Sequence, residues 1–275
     1  MMVDMRDLSR RSLLKLGAAT GAGAALAALP GTGALPARAD GAITAGSFVS
    51  AARGGVGTEW RIARPPGATG PIRPIIALHG KGQTAAGVME GGVENMLAQA
   101  VASGAKPFAL ASVDGGGGYW HKRASGEDSG AMVLHEFIPL LAEQGLDTSR
   151  VAFLGWSMGG YGAMLLGSRL GAGRTAAITA VSPALWTSSG ATAPGAFDGA
   201  DDYAANSVWG LAGLNSIPLR IDCGDSDPFY SATKQFIAQL PTPPAGGFSP
   251  GGHDGAFWSS QIGAEMAWMA PLLTA

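Results

Sequence analysis

Between residues 74 and 223 the chain repeats one pattern: a short unbroken apolar run, a break rich in Gly or Asp, and often a longer segment with helical spacing. The runs occupy residues 74–78, 107–113, 151–155, 175–181 and 217–223. They are too short for ordinary helices, and they lack the polar alternation of a strand with one wet face. Strands buried on both sides read this way, and they belong to parallel sheets covered by helices. Residues 85–103, 129–144 and 157–170 supply the intervening helices; Met132, Val133, Phe137, Leu140 and Leu141 mark the apolar stripe of the second. Ahead of this block, residues 47–52 and 58–63 read as a hairpin around a Gly-rich turn. Helices at 232–240 and 257–273 close the chain. Residues 186–215 follow neither period and read as a small cap over the carboxyl edge of the sheet, where ligands bind in such folds. The expectation is an α/β chain with a mostly parallel central sheet, helices on both faces and a small cap.

The first 39 residues read as an address rather than as part of that fold. Ser-Arg-Arg-Ser-Leu-Leu-Lys at 9–15 leads into a small-residue apolar run over 16–29, and Ala37-Arg38-Ala39 has the form of a cleavage site. Arg10-Arg11 just before Leu13-Leu14 has the form of a twin-arginine export signal. The apolar run covers about 14 residues, short of the ~20 that a membrane-spanning helix needs. Residues 1–39 are thus expected to be a cleaved leader, with no stable membrane insertion afterwards, and 40–275 one exported domain. No linker divides the latter.

Composition narrows the function. Hydrophobic residues make up 47% of the 275-residue chain, enough for a sizeable core. Five basic and two acidic residues fall before residue 40, so the remainder holds 13 basic and 18 acidic residues, a net charge of −5. Such a surface offers no footprint for a phosphate backbone, which argues against nucleic acid as a partner. The single cysteine, Cys223, excludes an internal disulfide and a Cys-based zinc cluster, and no metal site is expected. No dinucleotide- or phosphate-binding glycine motif follows a strand, so no cofactor is expected.

The chemistry sits at Gly155-Trp156-Ser157-Met158-Gly159. In a chain with 44 glycines, about half a G-x-S-x-G match arises by chance, so the bare pattern says little. Its setting says more: it closes an apolar strand and opens a helix. That is a strand–turn–helix elbow, which exposes a serine hydroxyl above a sheet. Ser157 is the expected nucleophile. Partners of such a serine follow in the order acid, then histidine. Of His79, His121, His135 and His253, only His253 lies downstream, in a Gly-rich loop. The acid should lie just past a strand end, and the turn Gly224-Asp225-Ser226-Asp227-Pro228 offers two. Asp227 is favoured, since Pro228 fixes it deeper in the turn; Asp225 stays open. One oxyanion donor should be the Met158 N–H, and the second should come from the loop after the early strand, at Gly80 or Lys81. His79 reads as a support for that loop. Tyr119 and Trp120 follow four glycines after a strand and could line a substrate pocket.

Taken together, Leu78-His79-Gly80, Tyr119-Trp120, the run 155–163, Gly224–Asp227 and Gly252–Asp254 resemble the α/β-hydrolase esterases. That family includes S-formylglutathione hydrolases, feruloyl-type esterases and mycolyltransferases. The resemblance spans residues 47–273, and Ser-Met-Gly-Gly-Tyr-Gly-Ala at 157–163 is its most specific part. It implies the α/β-hydrolase fold and metal-free hydrolysis of a small-molecule or lipid carboxylic ester, with Ser157, Asp227 and His253 as the triad. Mycolyltransferases use Glu where this turn has Asp, which favours hydrolysis over transfer to a cell-envelope acceptor. S-formylglutathione hydrolases are cytosolic, whereas this chain carries the form of an export signal, which argues against that substrate. A non-catalytic binding protein on the same scaffold is the remaining alternative.

Overall fold

A computed structural model describes residues 43–90 and 92–275. The leader expected at 1–39 lies outside them. Eight strands form one sheet: β1 (Ile43–Ser50), β2 (Val56–Ala63), β3 (Pro74–Leu78), β4 (Ala109–Val113), β5 (Val151–Trp156), β6 (Thr175–Val181), β7 (Leu219–Gly224) and β8 (Ala245–Ser249). Their spatial order is β1-β2-β4-β3-β5-β6-β7-β8. The pairs β1–β2 and β2–β4 are antiparallel, and every pair from β4 to β8 is parallel. The mostly parallel sheet expected from the sequence is present.

Alternation along the central strands builds two cores. Ile76 and Leu78 of β3, Ala109 and Ala111 of β4, and Val151 and Phe153 of β5 face one side. Ile75, Ala77, Leu110, Ala152 and Leu154 face the other. The helices are α1 (Ala85–Val88), α2 (Val93–Ala102), α3 (Ser129–Met132), α4 (Ile138–Glu143), α5 (Met158–Leu170), α6 (Ala200–Asn206), α7 (Tyr230–Gln239) and α8 (Gly255–Thr274). Helices α1, α2 and α8 cover the second face through Val88, Leu97, Met266 and Met269. Residues of α3, α4, α5 and α7, among them Met132, Leu141, Leu165 and Phe236, cover the first.

Three departures from expectation have local causes. The helix expected over 85–103 is two: the first ends at Val88, and the second starts after Gly92, whose φ of 83° is a left-handed conformation outside a helix. The helix over 129–144 is continuous but carries a π turn at Val133–Phe137. Glu136 in that turn accepts bonds from the Ser50 hydroxyl and from Ala52 N at 2.8 Å, so the bulge ties the helix to the β1–β2 turn. Strand β8 was not foreseen. Its sequence, Ala-Gly-Gly-Phe-Ser, has little strand propensity, and its pairing with β7 supplies the order. Gly246 is required there, since a Cβ would stand 2.4 Å from Ile221 O.

The segment between β6 and β7 holds α6 and two short 3-10 turns, Ser189–Ala191 and Ala212–Asn215. It is fastened from below. Tyr161 OH of α5 donates to Asn206 O at 2.6 Å, and Arg169 Nη2 donates to Asn206 Oδ1 at 2.7 Å. Arg123 grips Asp198 and donates to Gly195 O and Ala196 O. Cys223 is fully buried in β7, and burial pushes its thiol up to about 12. Among the described residues no helix is long and apolar enough to cross a membrane.

Candidate active site

Strand β5 ends at Trp156 and α5 begins at Met158, leaving Ser157 alone in the turn with φ 55° and ψ −120°. A non-glycine residue held there is strained, and the packing around it must hold it. The flanking glycines make that packing possible. A Cβ on Gly155 would lie 2.2 Å from Gly159 O, and one on Gly159 would lie 1.8 Å from Leu78 O. The elbow is thus wedged against β3, and its hydroxyl projects from the start of α5. The half-buried Ser157 side chain meets His253 Nε2 at 2.9 Å.

Strands β7 and β8 are parallel neighbours, so the loops leaving their carboxyl ends lie side by side. Asp225 N bonds Ser249 O and Ser226 N bonds Gly251 O, each at 3.0 Å. This seam brings His253 over the turn after β7. His253 Nδ1 lies 2.8 Å from Asp227 Oδ2, and the other Asp227 oxygen accepts the Phe229 N–H at 2.7 Å. Burial alone would raise the Asp227 carboxyl. The bonds from His253 and Phe229 N outweigh it and hold the group below its ordinary range. Asp225 is exposed, and its side chain meets Ser226 Oγ and Gly251 N instead. Of the two acids the sequence left open, Asp227 and not Asp225 reaches the histidine. The arrangement is a hydrogen-bonded relay, Ser157–His253–Asp227, that can draw a proton from a serine hydroxyl.

The loop after β3 faces the elbow. Buried His79 accepts the Gly115 N–H at Nε2, 3.0 Å, and its Nδ1 meets Gly80 O at 2.8 Å. Burial lowers its pKa, as suits a neutral ring with one donor and one acceptor nitrogen. Gly80 cannot be the oxyanion donor considered from the sequence, because its N–H already donates to Gln83 Oε1 at 3.0 Å. Lys81 N is differently placed. In a trans peptide the N–H points opposite to the preceding C=O. With Gly80 O drawn back to His79, the Lys81 N–H points away from the histidine. The Lys81 ammonium donates to Pro194 O at 3.2 Å and lies 5.9 Å above the Tyr119 ring.

Tyr119 and Trp120 both adopt left-handed φ, 57° and 62°. Tyr119 packs against Trp186, 5.5 Å between ring centroids, and Trp186 against Phe229, which meets His253 at 5.2 Å. Trp120 corrects the sequence expectation. It is 0% exposed, and its indole fills the space left by Gly115 and Gly162, where a Cβ would stand 2.2 and 2.3 Å away. It is a core block beneath the site and no pocket wall. The sequence reading missed Gln83, which carries no motif signal. Trp258 meets His253 edge-on at 5.3 Å and stacks on Trp156 at 6.2 Å. Beside that pair lies a cavity of about 330 Å³ walled by Gln83, Val88, Met96, Trp156, Trp258 and Ile262. Among the described residues no group of three or more His, Cys, Asp or Glu side chains is arranged to hold a metal ion.

Solved structures share this architecture. A ferulic acid esterase superposes with a TM-score of 0.73 at 20% identity, over 85% of this chain and 99% of the other. The chain has the α/β-hydrolase fold. An S-formylglutathione hydrolase from Agrobacterium tumefaciens shares that fold at TM-score 0.71 and 20% identity, over 85% and 96% of the two chains. A ferulic acid esterase from Anaeromyces mucronatus, solved with ferulic acid, gives 0.67 and 17%, over 85% and 92%. No family model matches the sequence, and no curated protein matches it. The α/β-hydrolase fold therefore rests on topology and elbow geometry rather than on overall sequence similarity.

Proposed function

We propose that the chain is an exported serine esterase that cleaves carboxylic esters through an acyl-enzyme. The observation that carries this reading is the relay: Ser157 Oγ to His253 Nε2 at 2.9 Å, and His253 Nδ1 to Asp227 Oδ2 at 2.8 Å. His253 takes the Ser157 proton as the oxygen attacks the ester carbonyl, and the buried Asp227 carboxylate stabilises the imidazolium that forms. Negative charge develops on the carbonyl oxygen, and the N–H groups of Met158 and Lys81 receive it. Met158 opens α5, where backbone donors have no partner within the helix. The protonated His253 then gives its proton to the departing alcohol, leaving an ester of Ser157. Water, deprotonated by His253, attacks that ester and releases the acid.

Solved structures described as ferulic acid esterases support an ester with an aromatic acyl part, and the Tyr119–Trp186–Phe229 aromatic cluster beside His253 is in keeping with it. Hydrolysis of p-nitrophenyl esters of rising chain length and of methyl ferulate, by protein starting at Asp40, tests this. Ser157→Ala should abolish turnover and labelling by a fluorophosphonate probe. Undiminished labelling of that variant places the nucleophile elsewhere. Export rests on Arg10-Arg11, the apolar run and Ala37-Arg38-Ala39. A reporter fused after residue 39 should leave the cytoplasm, and changing Arg10-Arg11 to Lys-Lys should retain it; equal export of the two fusions sinks the twin-arginine route.

A further inference from the structure

One side chain joins the loop after β3 to the elbow. Gln83 Oε1 accepts the Gly80 N–H at 3.0 Å and the Trp156 Nε1–H at 2.5 Å. An amide oxygen has two lone pairs, and these bonds use both. The Gln83 backbone closes the same turn, its N–H donating to Gly80 O at 3.1 Å. Gly80 permits the approach, since a Cβ there would stand 2.8 Å from Gln83 Oε1. Gly80 immediately precedes Lys81, and Trp156 immediately precedes Ser157. The Trp156 ring stacks on Trp258 at an interplanar angle of 28°, and Trp258 meets the His253 ring at 89°. A single acceptor therefore stands at the junction of the oxyanion loop, the nucleophile turn and the wall behind the base.

We propose that Gln83 is a positioning residue for the ester hydrolysis put forward above, on which this inference rests. Two anchors fix the Gly80 peptides: His79 holds the carbonyl, and Gln83 holds the N–H. With both in place the following N–H, that of Lys81, has one direction. Without the Gln83 amide the Gly80 carbonyl keeps its bonds to His79 and to the Gln83 backbone N–H, but the Gly80 N–H loses its acceptor and the loop can rock about the carbonyl end. Gln83 is exposed, so its loss removes little buried surface. What it contributes is the distance between an oxyanion donor and the nucleophile, and a misplacement of about 1 Å can cost on the order of 100-fold in rate.

The experiment compares Gln83→Met, which keeps length but loses the acceptor, with Gln83→Glu, which keeps an acceptor oxygen at the same reach. The probe is p-nitrophenyl butyrate, with Ser157→Ala run in parallel. Gln83→Met should lower kcat roughly 10- to 100-fold while KM changes less than about threefold, because the lost contact acts mainly in the transition state. Phosphonylation of Ser157 by a fluorophosphonate should slow in step, with Tm unchanged. Gln83→Glu should recover most of kcat. Should Gln83→Met lower Tm, Gln83→Asn takes its place, since its oxygen falls one methylene short of both donors, and the same loss of kcat is expected. Wild-type kcat in the acceptor-less variant, or a loss confined to KM, overturns the inference alone, provided Ser157→Ala is inert. An active Ser157→Ala overturns the esterase reading and the inference with it.

Discussion

Asp225 and Asp227 stand two residues apart in one turn, and burial separates them. Asp227 is 5% exposed and shared between His253 and the Phe229 N–H, whereas Asp225 faces solvent. Asp227→Asn should reduce kcat by roughly 10³–10⁴-fold, because the amide no longer fixes the histidine's orientation and tautomer. Asp225→Asn should stay within about threefold of the parent, since nothing in the relay depends on its charge. Steady-state kinetics on both variants checks the pair. Gly159→Ala is a different kind of change. Its Cβ would lie 1.8 Å from a backbone oxygen of β3, so no side-chain rotation relieves it. A loss of about 3 kcal/mol or more, read from urea midpoints, is expected. At this scale the convergence of the three side chains of the candidate site was legible. Ser157 and His253 followed from the elbow and chain order, and Asp227 from a strand end. Trp120 misled because a Trp beside a nucleophile loop looks the same in sequence whether it faces substrate or fills the hole left by two glycines. Gln83 was invisible because its bond to Gly80 N looks like any local turn contact, and its distant partner, the Trp156 indole, is brought to it only by the pairing of β3 with β5.

Among the elements, β8 shows what a sequence cannot carry locally. Its two glycines argue against a strand, yet it pairs with β7 over five residues and delivers His253. The order comes from its neighbour, not from its own propensity. Helix α8, which starts directly after that loop, also carries a buried acid. Glu265 is 1% exposed and faces Asp222 of β7, itself paired with Arg220 at 2.6 Å. Burial first, and the Asp222 charge second, push the Glu265 carboxyl up to about 8. Glu265 therefore keeps its proton at neutral pH beside the Asp222 carboxylate. Because the folded pKa lies above the unfolded one, the fold holds a proton that the unfolded chain releases. Stability from this proton is full below about pH 4.3, the ordinary Glu value, declines as pH rises, and is gone above the folded value of about 8. Glu265→Gln should flatten that decline between pH 5 and 8. Equal slopes of Tm against pH for parent and variant would exclude the retained proton.

Across the whole molecule, the unbroken apolar runs announced the architecture, since strands buried on both faces admit few alternatives. What they could not announce was which helices share a face. That grouping, α1 and α2 with α8 on one side and α3, α4, α5 and α7 on the other, arises from crossovers between distant strands. Phe153 sits at the centre of this design, 0% exposed on the middle strand β5. Phe153→Ala should cost about 3–5 kcal/mol, through lost contacts and a cavity that the sheet cannot close. An unchanged urea midpoint would argue against so rigid a centre.

The lone thiol of Cys223 gives the molecule a built-in recorder of its own opening. A thiol-directed alkylating reagent needs both access and a thiolate, and the folded chain denies it both. Alkylation in native buffer therefore counts excursions in which β7, the strand leading to the acid of the relay, comes away from its neighbours. One site means one mass increment per event. The pace of that increment, followed with and without a bound ester analogue, would report how firmly an occupied site holds the sheet beneath it.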